Sequence, residues 1–159
     1  LLAWGLLSLF QSGILLAIAW IFGYITIIGT LVHIFLALIT LVLAGILTAA
    51  FSLIVVSFIK EEMAGTLTLI MLLVVSLYIA GYFPIANPVI GYIMGRELTV
   101  LDIIPWRPAI TAIKKSLMLP NVYTPIEILP DLLLLIIWTL IYMITAFIVF
   151  SKRKLKKRV

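Results

Sequence analysis

Long apolar runs broken by a few short polar interruptions organise this chain. No Asp, Glu, Lys or Arg occurs from Leu1 to Ile59, and about 20 apolar residues suffice to cross a hydrocarbon core roughly 30 Å thick. Backbone groups in lipid must be hydrogen-bonded within the segment, so each run reads as a helix. Helices are expected over residues 1–28, 31–59, 63–83 and 131–150. Gly29 and Thr30 supply the turn between the first two, and the charged step Lys60, Glu61, Glu62 separates the second from the third.

The connection over 84–130 is of another kind. Pro84 and Pro88 lack backbone donors and fix φ, so the third helix is expected to end near Phe83. The residues that follow stay apolar but too short to span. Gly81, Pro84, Asn87, Pro88 and Gly91 are therefore read as a re-entrant element that dips into the outer leaflet and returns. In "PWRPAITAIKKSLM", Trp106, Ile110, Ile113 and Leu117 fall on one face, while Arg107, Thr111, Lys114 and Lys115 lie away from it. That spacing predicts an amphipathic helix on the outer surface. The expected fold class is all-α: a polytopic membrane protein of one transmembrane domain, with four transmembrane helices, an outer-leaflet re-entrant element and an amphipathic external helix.

Composition sharpens the class. Of 159 residues, 65% are hydrophobic and 11% charged, outside the range of soluble globular domains. No cysteine is present, so neither a disulfide framework nor a thiolate metal site has ligands. Lys152, Arg153, Lys154, Lys156, Lys157 and Arg158 follow the last run directly, and such a cluster is biased to the cytoplasmic side. The expected location is the cell membrane, multi-pass, with residues 151–159 cytoplasmic, the Lys60–Glu62 step inside and 84–130 outside. That outer connection balances Arg96, Arg107, Lys114 and Lys115 against Glu97, Asp102, Glu127 and Asp131. The first residue is Leu, and further helices are expected upstream.

The order of events from Glu61 to Arg158 resembles the C-terminal half of the membrane domain of ABC-2 type (type-2 ABC exporter) permeases. The residues that carry the likeness are "AGYFP" at Ala80–Pro84 and "PWRPAITAIK" at Pro105–Lys114, with Ala109, Ile110, Ala112 and Lys114 at matching positions. Ala80 stands where the family more usually has Ser, and Trp106, Arg107 and Pro108 interrupt the usual start of the amphipathic helix. The resemblance implies the permease subunit of an ATP-driven exporter. Its partners would be membrane lipid, a second permease chain in a homo- or heterodimer, and a separate ATP-binding cassette ATPase subunit. An alternative without transport is a membrane scaffold or assembly subunit.

Candidate chemistry in the chain is sparse. Adjacent Glu61 and Glu62 point about 100° apart on a helix, and a double-glutamate intramembrane protease would be expected to carry Arg where this chain has Thr66. Lys60, Glu61 and Glu62 are instead a candidate ATPase-facing loop. Gln11 and Ser12 are candidate path-lining groups that also suit packing between helices. His33, the only histidine, sits near a helix end where it can reach the interface. Gly13 with Ala17, and Gly45 with Ala49, have small-xxx-small spacing. No GxxxxGK[ST] loop or other nucleotide fingerprint occurs. No catalytic, cofactor-binding or metal residue, no cofactor and no nucleic-acid partner is expected, and the chain is not expected to be an enzyme by itself.

Overall fold

The computed structural model describes residues 31–59, 62–81, 88–118 and 122–156. The expected first helix over 1–28 with Gln11 and Ser12, the turn at Gly29 and Thr30, and Lys60, Glu61, Pro84 and Asn87 lie outside the described residues. The described fold is mostly helical: α1 is Leu31–Phe58, α2 Glu62–Gly81, α3 Arg107–Ile113 and α4 Pro125–Lys156. Between α2 and α3 come two strands, β1 (Val89–Ile93) and β2 (Arg96–Thr99), and a 3₁₀ turn at Val100–Ile103. A π-helical turn, Lys114–Met118, extends α3.

Two helices are long and apolar enough to cross a membrane, Leu31–Phe58 and Pro125–Lys152. Only 28% of each apolar window is buried in the fold. Most of their apolar surface therefore faces outward, unlike that of a core helix in a soluble domain. Of the four expected spans, these two pass by length and composition among the described residues; the apolar stretch in α2, Gly65–Ala80, is shorter.

Polar side chains in α1 are satisfied locally. Thr40, Thr48, Ser52 and Ser57 each donate a hydroxyl to the carbonyl four residues back, at 2.6–2.8 Å, which lets them sit in an apolar helix without an orphaned group. The buried stripe of α1 runs through His33, Leu36, Ala37, Thr40, Leu47 and Ala50. The small pair Gly45 and Ala49 is not part of it. The stripe of α4 is Ile128, Asp131, Leu132, Leu135, Thr139 and Ala146. Leu36 meets Ile128 and Leu132 at one level, and Leu47 meets Leu135 at the next, so α1 and α4 run in the same direction.

The fourth helix begins six residues earlier than Asp131, at Pro125. Thr124 donates through its backbone N–H (2.6 Å) and its hydroxyl (2.9 Å) to Glu127 Oε2, the reach-back half of a capping box, and Pro125 occupies the first helical position. Pro130 lies in the second turn and forfeits only the bond to the Ile126 carbonyl. A proline near a helix start thus marked no boundary.

The connection departs most from expectation. Where a re-entrant element was expected around Gly81, Pro88 and Gly91, Gly81 closes α2 and residues 89–99 form an antiparallel hairpin. Pro88 accepts a bond from Val100 N–H at 3.2 Å. Gly91 pairs with Leu98 beside a register irregularity. Met94 (φ 49°) and Gly95 (φ 80°) make the two-residue turn; positive φ at both positions gives the twist that flanking strands require. The strand pattern was masked because both faces of "VIGYI" are apolar, which hides a period of two.

Residues 100–118 pack against the two long helices. Trp106 and Ala109 pack with Leu47 of α1 and Leu135 of α4, against Ala44, Phe51, Trp138 and Tyr142. These residues occupy the middle of both long helices. From there α3 rises toward the start of α4, where Ala112 meets Leu36, Ile128 and Leu132. The expected surface helix is therefore wedged between α1 and α4. Its buried side is Pro108, Ala109, Ala112 and Ser116, while Ile110, Ile113 and Leu117 are half-buried. Small side chains let the backbones approach closely, and that closeness decides which face turns inward.

Candidate functional site

The wedge is tied to α4 by charges. Asp131 is fully buried and Asp102 is 5% exposed. Arg96, at the start of β2, places Nη2 2.6 Å from Asp102 Oδ1 and Nε 2.9 Å from Asp131 Oδ1. Lys115, in the π-helical turn, places Nζ 2.8 Å from Asp131 Oδ2. The Arg96–Asp131 contact is close but not aligned as a hydrogen bond: Asp131 Oδ1 and Arg96 Nη1 are buried without a hydrogen-bond partner. The 2.9 Å separation still makes it an attractive ion contact, since Coulomb attraction needs proximity more than alignment.

The remaining bonds of these groups hold local backbone in place. Asp102 Oδ2 accepts from Thr99 N–H and Thr99 Oγ1, both at 2.8 Å, which starts the 3₁₀ turn. Trp138 Nε1 donates to the Asp102 carbonyl at 3.1 Å. Lys115 Nζ also donates to the Glu127 carbonyl at 3.0 Å and lies 5.2 Å from the Tyr123 ring centre. At the same end, His33 Nε2 sits 3.0 Å from the Tyr123 carbonyl, joining the start of α1 to the segment before α4. Two cations and two carboxylates thus form a neutral cluster binding the hairpin, the π-helical turn and α4. Burying such charges is tolerable only while every partner is present.

The deep end of the wedge is held differently. Trp106 is 5% exposed; its Nε1 donates to Thr48 Oγ1 at 3.2 Å and its ring meets Phe51 edge-on at 5.1 Å. Phe51 in turn contacts Tyr142, and Tyr142 contacts Trp138, at 6.0 and 6.2 Å between centroids. Arg107 donates through Nη1 to the Ala80 carbonyl at the end of α2, a favourable place for a cation beside a helix C-terminus. The triplet Trp106, Arg107, Pro108, which interrupts the helix start in the sequence, is what joins α3 to α1 and α2.

Of the expected site residues, Glu62 is the first residue of α2, and Gly81, Pro88 and Gly91 sit at the end of α2 and in the hairpin, apart from the buried cluster. Arg96, Asp102, Lys115 and Asp131 were not singled out. Their signal was present in the equal count of acids and bases in the connection, and in the position of Asp131 on the apolar stripe of α4. Among the described residues, no group of three His, Asp or Glu could hold a metal ion. The arrangement can position backbone and bind charge. No known protein family, curated protein or solved structure matches this chain.

Proposed function

We propose that this chain is the C-terminal part of the membrane domain of an ATP-driven exporter of the ABC-2 type. It would work with a second permease chain and with separate ATPase subunits. The observation that supports it best is the wedge: the connection before the last helix seats Trp106 and Ala109 against the middle of α1 and α4 and Ala112 against their starts. A non-transporting scaffold needs helix packing but has no use for a connection inserted so deeply.

Membrane placement rests on matching lengths. At about 1.5 Å per residue, roughly 31 Å of helix separates Asp131 from Lys152, close to one hydrocarbon thickness. The ionic cluster then lies at one boundary and the basic tail at the other. Irregular backbone at Ile104 and Pro105 is admissible at depth because protein encloses it. The tail side is cytoplasmic by its basic residues.

Cysteine substitution tests the orientation. Tyr92 is 70% exposed, so in intact cells an impermeant thiol reagent should label Tyr92→Cys and leave Lys154→Cys unlabelled until the membrane is opened. Labelling of Lys154→Cys alone would invert the topology. The exporter reading is tested by purifying the tagged chain from its native membrane and assaying bound ATPase. A stoichiometric ATP-hydrolysing subunit should accompany it, with association weakened by charge reversal at Glu61 and Glu62. A folded chain that carries no ATPase would favour the scaffold.

A further inference from the structure

Six acidic residues occur in the chain, and among the described residues their placement leaves the Arg107 guanidinium without a carboxylate partner. Asp102 and Asp131 are taken by Arg96 and Lys115. Glu127 caps the start of α4, and Glu97 is exposed on the hairpin. Glu62 is the first residue of α2, with Glu61 before it in the sequence, whereas the Arg107 guanidinium is bound at Ala80 near the other end of that helix, about 27 Å from Glu62 at 1.5 Å per residue. Among the described residues Arg107 makes no salt bridge, and its guanidinium bonds to a backbone carbonyl. A guanidinium carries five donors in a planar fork suited to phosphate and carboxylate oxygens. Arg107 is half-buried rather than sealed, so the unused donors are open to an incoming group.

The position selects the partner. Trp106 is anchored at mid-bundle, but the Arg107 side chain reaches toward the end of α2, and a 20-residue helix starting at one boundary ends near the other. A cationic head held at that level by a long apolar stem is the snorkelling arrangement. On α2, Ile70, Met71, Val74 and Tyr78 are each more than half exposed, an apolar strip along which an acyl chain can lie. We propose that Arg107 and this face of α2 bind an acidic phospholipid of the outer leaflet, the guanidinium holding the phosphodiester and α2 the chain. The proposal rests on the membrane placement above and is independent of ATP-driven export.

The test uses the purified full chain in phosphatidylcholine nanodiscs containing a trace of photoactivatable phosphatidylglycerol, with photoactivatable phosphatidylcholine of the same chain length as reference. Crosslinks from the phosphatidylglycerol probe should map to residues 70–81, in excess of the reference probe. Arg107→Gln should reduce that excess roughly tenfold, in line with loss of a charge-assisted contact, and Arg107→Lys should retain most of it. Because Arg107→Gln also removes the α2 cap, its helix content is compared with wild type; if it misfolds, the wild-type map and Arg107→Lys carry the result. Equal labelling by both probes, phosphatidylglycerol labelling confined to residues 150–159, or abolition of labelling by millimolar inorganic phosphate would each overturn the proposal. The last outcome would assign the site to a free anion. Loss of lipid binding would leave the ATPase association untouched, and loss of that association would leave the lipid map standing.

Discussion

Replacement of Asp131 by alanine is expected to be among the most damaging single changes in the described fold, at about 3–5 kcal/mol, the range for breaking a buried ion pair by removing one partner. The carboxylate is fully buried and faces Arg96 and Lys115 together, so its loss strands Lys115 and leaves Arg96 with Asp102 alone. Unfolding in mild detergent, followed by circular dichroism, should show the midpoint fall sharply. The double variant Asp131→Ala with Lys115→Met should recover part of the loss, because it removes one stranded charge and leaves an apolar stem of similar length. A double variant no more stable than Asp131→Ala, or a single variant indistinguishable from wild type, would show that the cluster is not what holds the wedge to α4.

The second large effect is expected at Trp106→Ala. A buried tryptophan truncated to alanine costs about 3–5 kcal/mol through lost burial and the cavity it leaves, and here it also leaves the Thr48 hydroxyl without its donor and Phe51 without its edge contact. The consequence should be local before it is global, since the ionic cluster still holds the other end of α3. A cysteine at Ala109, 3% exposed in the fold, should become reactive to thiol reagents in the Trp106→Ala background while remaining protected otherwise. Trp106→Phe should restore most protection, because the ring contact survives without the indole N–H. If Ala109→Cys stays protected in Trp106→Ala, the deep anchor is dispensable and packing of Ala109 and Ala112 alone seats the helix.

The two predictions address opposite ends of one wedge, and sequence reasoning fared differently at each. At the deep end the pattern recorded the residues but misassigned them. The spacing put Trp106, Ile110, Ile113 and Leu117 on the apolar face of a surface helix; Trp106 is buried, but the other three are only half-buried, and Ala109 and Ala112 go inside. In water the larger apolar residues would compete for burial; between helices already clothed in apolar surface, the residues that permit close approach go inside. At the ionic end, the equal number of acids and bases was legible, but its meaning was not. Arg96 and Asp131 are 35 residues apart in the chain, and no local period connects them.

The sequence alone determined the apolar runs that become α1, α2 and α4, the mostly helical character and the basic end of the last helix. Each of these follows from local composition: long apolar stretches must satisfy their own backbone, and a helix does so without a distant partner. Only the tertiary structure decided what residues 88–118 became. A strand apolar on both faces, such as Val89–Ile93, has no readable period, Pro88 and Pro130 mark breaks in one place and none in another, and a carboxylate on an apolar stripe stays undefined until Arg96 and Lys115 arrive beside it. Those outcomes depend on which distant groups neutralise charge and how closely backbones can approach, and neither is a property of any single stretch of chain.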